Sequence, residues 1–332
     1  MQKFVYFLLF FCGFCYAGPC EDCLTSGKEW CASVGKCGVS PCPVTVKRAL
    51  NCPSLPDAAH SYDDSFIRAN FLPLIGGAHA DDPYICLRKN APTMVVYNTV
   101  RANCTGQGDG PQTPCFMYTA YDTSRKIILM AFRGTSTPQQ LIEEILNFSH
   151  KKKPFFDVGY IFDFFYDAFI ALWNNGLSSD IRNLKYLHPD YELWVTGHSL
   201  GGALSSIAAS YVVKIGLFQG QNTKLLTMGQ PRTGDYKYAL WHQNTFPYSF
   251  RIVHHQDIVP HIPPQLMPDG DEMFHHRTEI WYNNNMTVGE PFNVCKEADG
   301  LYCSSTQVDT NVEDHLFYFG HFMPTWGERG CP

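Results

Sequence analysis

Ser199 lies in Gly197-His198-Ser199-Leu200-Gly201-Gly202, a G-x-S-x-G pattern between a strand-like run and a helical run. Glycines two residues to either side allow a turn too tight for bulkier neighbours, and such a turn lifts the serine hydroxyl clear of a sheet. A hydroxyl is a poor nucleophile at neutral pH, so the chemistry also needs an imidazole to take its proton and a carboxylate to orient that imidazole. In the chain order Ser, Asp, His, Asp257 falls in VHHQDIVPHIPP, where Pro260 and Pro263-Pro264 stiffen a loop after a strand. His315 falls in EDHLFYFG near the C-terminus. The tetrahedral oxygen of acyl transfer needs two backbone donors. Leu200, next after the nucleophile, offers one N–H, and Thr135, in the turn Arg133-Gly134-Thr135-Ser136, offers the other.

Thirteen histidines compete for the role of base. His261 is the best rival to His315, but four residues from Asp257 it reads as a local pocket residue. The pairs His254-His255 and His275-His276 suggest a metal, yet no H-E-x-x-H occurs, and adjacent side chains on a strand point to opposite faces. Packing or surface roles fit them better, and neither a metal nor an organic cofactor is expected. Glu313 and Asp314, as sequence neighbours of His315, are poorly placed to reach its ring from the far nitrogen.

The elements that must position these residues read as an α/β domain over residues 55–332, a mostly parallel sheet covered by helices. Lys126–Phe132, Tyr191–Thr196, Lys224–Met228 and Phe250–His254 are short runs rich in branched or aromatic residues and read as strands. Ala203–Ile215 reads as the helix behind the nucleophile, with small residues for close packing and Gly216 as its stop. Ile161–Trp173 reads as a sheet-covering helix with Asp163 and Asp167 on its wetter side. Apolar residues at 45% and charged residues at 17% exclude a disordered or coiled-coil chain. A net charge of −6 gives no basic field for nucleic acid.

Residues 1–17 read as a signal peptide: Lys3, an apolar run from Phe4 to Phe14, and Ala17 before the cleavage point. The run is too short for a spanning helix, and no later segment is long enough, so a secreted chain without stable membrane insertion is expected. Cleavage removes Cys12 and Cys15 and leaves an even twelve of the fourteen cysteines. Six of them, Cys20, Cys23, Cys31, Cys37, Cys42 and Cys52, crowd a module over residues 18–54 that has almost no apolar periodicity. Such a segment reads as three disulfides of undetermined connectivity, with Cys20-Glu-Asp-Cys23 as a zinc or redox pair the lesser reading. It serves as a stabilising cap or as a docking part for an unknown partner.

Five blocks in order resemble the class 3, fungal-type triacylglycerol lipases: AFRGTS from Ala131, VTGHSLGGA from Val195, GQPRTGD from Gly229, RIVHHQDIVPHIPP from Arg251 and DHLFYFG from Asp314. The resemblance implies a secreted α/β-hydrolase in which Ser199, Asp257 and His315 act together and Thr135 and Leu200 hold the oxyanion. The oxyanion position is often serine in that family, and threonine keeps both the N–H and the hydroxyl. The cysteine-rich start lies outside the matched region and inherits no role.

The segment after Thr135 is amphipathic, with Leu141, Ile142, Ile145 and Leu146 at helical spacing, and it resembles the family's lid. Lys151 to Lys153 follow it. The resemblance favours a Cys295–Cys303 pair; Cys104 with Cys115 across a Gly-Pro-rich turn and Cys86 with the tail residue Cys331 complete the set. Asn103, Asn147 and Asn285 head N-x-S/T sequons, acceptors for glycans on the secretory route. The expected activity is hydrolysis of acylglycerol esters at a lipid–water interface, with an esterase, a phospholipase or a catalytically idle lipid-binding protein as alternatives.

Overall fold

A computed structural model describes residues 18–104, 114–134, 151–300 and 302–332. Two compact units meet at the Pro53/Ser54 boundary, one residue before the division read from composition. In the first, helix α1 (Pro19–Thr25) accompanies a three-stranded antiparallel sheet of β1 (Trp30–Cys31), β2 (Lys36–Cys37) and β3 (Thr45–Val46). Disulfides Cys20–Cys52, Cys23–Cys37 and Cys31–Cys42 staple it. The first two place Cys20 and Cys23 in separate bridges, so neither thiol is available to a zinc or redox pair. With so little apolar surface to bury, the unit needs such staples.

The second unit is built on an eight-stranded sheet. Its antiparallel edge is β4 (Val95–Asn103), β5 (Pro114–Asp122) and β6 (Ile127–Phe132). Outside the sheet, β7 (Lys152–Pro154) and β8 (Tyr160–Phe162) form a hairpin. Parallel to β6 run β9 (Glu192–His198), β10 (Thr223–Met228), β11 (Tyr248–His254) and β12 (Glu279–Tyr282), and β13 (Asn293–Val294) closes the far edge antiparallel. The order is β13-β12-β11-β10-β9-β6-β5-β4. The longer helices are α2 (Asp64–His79), α3 (Tyr84–Asn90), α4 (Asp163–Leu172), α5 (Ser178–Leu187), α6 (Leu200–Lys214) and α7 (Tyr236–Thr245), and single helical turns follow at Glu313–Leu316 and Met323–Trp326.

Strand alternation explains why β6 reads as a continuous apolar run. Ile128, Met130 and Phe132 face a core shared with α4, α5 and α6, while Ile127, Leu129 and Ala131 face a second core shared with α2 and α3. Both faces are dry, so every residue of β6 must be apolar. Helix α6 follows the same logic, with Gly202, Ala203, Ser205, Ser206, Ala208 and Ala209 all buried against the sheet.

Two details differ from the sequence reading. The run from Ile161 begins as strand β8 and turns helical only at Asp163. Asp163 is buried at that helix start, where its carboxylate accepts from the Phe164 N–H, while Asp167 on the wet side pairs with Lys153. A carboxylate at a helix N-terminus finds backbone donors, which a reading of periodicity alone does not weigh. Among the described residues no helix is long and apolar enough to cross a membrane.

Candidate active site

Strand β9 ends at His198 and α6 begins at Leu200, so the reversal is made by Ser199 alone, at φ 62° and ψ −129°. This conformation is costly for a residue with a side chain and persists only where its surroundings enforce it. Here the Ser199 N–H donates to the Met228 carbonyl at the end of β10 (2.9 Å), and the Ser199 carbonyl accepts from Gly202 N–H (2.8 Å). The flanking glycines are required by contact. A β-carbon on Gly197 would lie 2.3 Å from the Gly201 carbonyl oxygen, and one on Gly201 would lie 2.3 Å from the Phe132 carbonyl oxygen. Leu200, first residue of α6, has a backbone N–H with no acceptor inside the helix.

The turns after β11 and before the C-terminal hairpin bring Asp257 and His315 together. Asp257 Oδ2 accepts from His315 Nδ1 (2.9 Å) and from the Tyr318 hydroxyl (2.6 Å), and Oδ1 accepts from Val259 N–H (2.8 Å). Ser199, Asp257 and His315 are all fully buried. With Nδ1–H committed to Asp257, His315 Nε2 carries the lone pair. That nitrogen and Ser199 Oγ are both buried without a hydrogen-bond partner, so neither is engaged elsewhere. Burial, and then the Asp257 anion beside it, push the Tyr318 phenol well above its ordinary range, so it is a donor throughout the pH range of folded proteins.

The loops carrying Asp257 and His315 are laced by Asp314. Its Oδ2 accepts from His255 Nδ1 (2.9 Å), Gln256 N–H (3.0 Å) and Asn311 Nδ2 (2.8 Å), and its backbone carbonyl accepts from His254 Nδ1 (2.9 Å). Asn311 N–H donates to the Gln256 carbonyl and Ile258 N–H to the Asn311 carbonyl. Behind the His315 imidazole, His198 stacks on it at 4.6 Å between ring centroids, and His79 on α2 lies 5.5 Å beyond. Burial holds the His198 imidazole well below its ordinary range and pushes His79 down to about 3, with Arg133 the second cause for His79.

His275 and His276, the pair that suggested a metal, have local partners. His275 Nε2 donates to the Pro260 carbonyl (2.7 Å), and His276 Nε2 lies within hydrogen-bond reach of Ser206 and Gln230. His261 stands beside Arg232 rather than pairing with Asp257, and burial and that cation keep it below the usual histidine range. Thr135, Leu141, Ile142, Ile145, Leu146 and Asn147 lie outside the described residues. Asn103 and Asn285 are exposed. Disulfides join Cys86 to Cys331, Cys104 to Cys115 and Cys295 to Cys303. Sequence reasoning passed over His198, Tyr318 and Asp314 as site residues. All three lie within the motif blocks, directly beside the named residues or three positions from one.

Residues 129–267 match the family model described as lipase (class 3). A lipase of Caenorhabditis elegans is 33% identical over 294 residues, covering 78% of this chain and 80% of that protein. The chain belongs to the class 3 lipase family. It is a serine lipase-type hydrolase, and other members extend the likeness to fungi. The lipase of Rhizomucor miehei is 31% identical over 291 residues, 79% of this chain and 76% of that one. A solved structure of the Rhizomucor miehei triacylglyceride lipase superposes with a TM-score of 0.65 at 25% identity, covering 79% of this chain and 97% of that chain. A secreted mono- and diacylglycerol lipase of Fusarium solani is 27% identical, over 71% of this chain and 68% of that protein.

Proposed function

We propose that the protein is a secreted lipase that hydrolyses acylglycerol esters through an acyl-enzyme on Ser199. His315 Nε2 takes the hydroxyl proton as Ser199 Oγ attacks the ester carbonyl, and Asp257 orients the imidazole and balances its charge. The negative tetrahedral oxygen accepts from the N–H groups of Leu200 and Thr135. Collapse breaks the ester C–O bond, and His315 returns the proton to the leaving alcohol. Water then attacks the acyl-serine with His315 again as base, which releases the fatty acid and restores the serine. The observation that carries this reading is the hydrogen bond from His315 Nδ1 to Asp257, which leaves Nε2 bare, while that nitrogen and the Ser199 hydroxyl are both buried without a hydrogen-bond partner. Such contacts tighten when substrate enters.

The lipid substrate is supported by the family and by the lipases among its relatives. Secretion is supported by six disulfides, which persist in oxidising compartments, and by the apolar leader over residues 1–17. The amphipathic segment holding Leu141 and Ile145 acts as a lid that opens at a lipid surface, and Asn103, Asn147 and Asn285 carry glycans. A fluorophosphonate probe should label Ser199 in the wild-type protein and leave Ser199→Ala untouched, with ester hydrolysis in that variant lower by roughly ten-thousand-fold or more. Emulsified long-chain acylglycerols should be cleaved faster than dissolved short-chain esters. The reverse preference would make the protein an esterase, and no labelling would leave it a lipid-binding protein.

A further inference from the structure

The G-x-S-x-G turn places no demand on the residue before the serine, yet the His198 side chain touches His315 at both its backbone and its ring. Its Nε2 lies 2.9 Å from the His315 backbone carbonyl. A carbonyl only accepts, so Nε2 carries the proton and Nδ1 is bare. That Nδ1 is buried without a hydrogen-bond partner. A second proton there would leave a charged donor unpaired in the interior, so the ring stays neutral. The same ring lies 4.6 Å from the His315 ring at 25° between planes, an offset stack.

We propose, on the footing of the reaction above, that His198 is a positioning residue for His315: its N–H fixes the backbone of the base, and its neutral face supports the imidazolium that forms during acyl transfer. An aromatic face attracts a cation set against it, more strongly where water is excluded. Both rings are buried, so the contact strengthens only when His315 takes the serine proton. Among the described residues, the other charged or titratable groups around the pair are Asp257, Tyr318, Asp314 and His254 on the side of the base, His79 on α2, and Arg133 after β6, which faces His79. None of them offers a hydrogen bond to His198 Nδ1.

Two substitutions separate the two contacts. His198→Phe keeps an aromatic face and loses the donor; His198→Asn loses the face. Each should lower kcat on a dissolved short-chain ester about tenfold with KM held within about twofold. His198→Asn should also move the acid limb of kcat/KM down by about half to one pH unit, whereas His198→Phe should leave it in place. A residue that merely packs would lower the folded fraction and leave that limb unmoved. Should the variants fold poorly, the unmutated protein still answers through ¹⁵N-histidine NMR, where His198 should stay a neutral Nε2–H tautomer from pH 5 to 8. A protonated or Nδ1–H His198 near pH 7, or an acid limb unchanged by His198→Asn, overturns the inference. Fluorophosphonate labelling of the wild-type protein keeps the two readings apart: without labelling the underlying reaction fails, and with labelling only the role of His198 is at stake.

Discussion

Gly229 stands against His315 so closely that a β-carbon on it would lie 2.8 Å from both Cε1 and Nδ1 of the imidazole and 2.9 Å from Asp257 Oδ2. Its φ of 56° is also one that side-chain-bearing residues rarely adopt. The backbone at the end of β10 is therefore the wall against which the imidazole–carboxylate pair is set.

Gly229→Ala should push both partners out of register with Ser199. A displacement near 1 Å costs about a hundredfold in rate, and the left-handed backbone adds about 1–3 kcal/mol of destabilisation. Steady-state kinetics on a soluble ester, with a thermal melt on the same preparation, check this. Wild-type kcat in a folded Gly229→Ala protein would show that the wall gives way.

Asp314 should act at a distance through the lacing it provides. Asp314→Ala removes the acceptor shared by His255, Gln256 and Asn311, frees the Asp257 loop from the His315 loop, and should lower kcat by about ten- to a hundredfold with a smaller change in KM. Asp314→Asn, whose amide oxygen still accepts, should lose less. Burial alone would raise the Asp314 carboxyl, but the hydrogen bonds from Asn311, His255 and Gln256 outweigh it and hold the group below its ordinary value. Its stabilising contribution is complete above the ordinary aspartate range and disappears as pH falls through the lowered value, so wild type and Asp314→Ala should converge in stability in strong acid. A constant difference in melting temperature down to pH 2 would contradict this.

Ser199 was legible in the sequence because its signal is local: flanking glycines, a strand before and a helix after. Asp257 and His315 followed from chain order and loop chemistry, since few carboxylates and imidazoles sit in stiff junctions downstream. The four parallel strands from β6 to β11 were visible as short runs dominated by branched and aromatic residues, β6 without any polar residue. Strand β4 was not, because six of its nine residues are exposed at the sheet edge and nothing in Val95–Asn103 alternates cleanly. Asp314 looked like a weak rival to Asp257. Its part in the site depends on a contact with His255, fifty-nine positions away, which no local pattern encodes. Tyr318 and His198 are likewise defined by what folds onto them.

Buried neutral histidines should make stability fall on mild acidification. Burial depresses His79, His198, His242, His275 and His276 in the folded state. The unfolded chain takes up these protons below the ordinary histidine value near 6.5 while the folded chain does not, so stability is full above that value and declines beneath it. Each such group contributes up to about 1.4 kcal/mol per pH unit well below 6.5. Asp163, Asp180 and Glu297, raised mainly by burial, oppose the trend only once carboxylates begin to titrate. Calorimetric melting temperatures should hold level from pH 8 to 7 and drop from pH 6.5 to 5. A flat profile over that lower interval would mean these imidazoles are not neutral and buried together.

The bridge between Cys86 and Cys331 spans 245 residues and ties the chain's end to α3. Cys331 also lies against α2, where a β-carbon on Gly76 would come within 2.4 Å of its sulfur, so the tail is packed as well as linked. Closing so long a loop restricts the unfolded chain by on the order of 5 kcal/mol in the chain-entropy model. Trp326, buried against the same helix, rests on the same anchorage. Replacing both cysteines by serine should therefore lower the melting temperature by roughly 10 °C. The hairpin that follows His315, β14 (Phe317–Tyr318) with β15 (His321–Phe322), lies in the chain between His315 and this anchor. Its amides should exchange faster in the double variant, and with them the hydrogen bond from Tyr318 to Asp257 should weaken. Hydrogen exchange resolved by peptide mass spectrometry measures this directly: faster exchange confined to the last few residues, with residues 315–322 as protected as before, would show that packing alone holds the end of the chain in place.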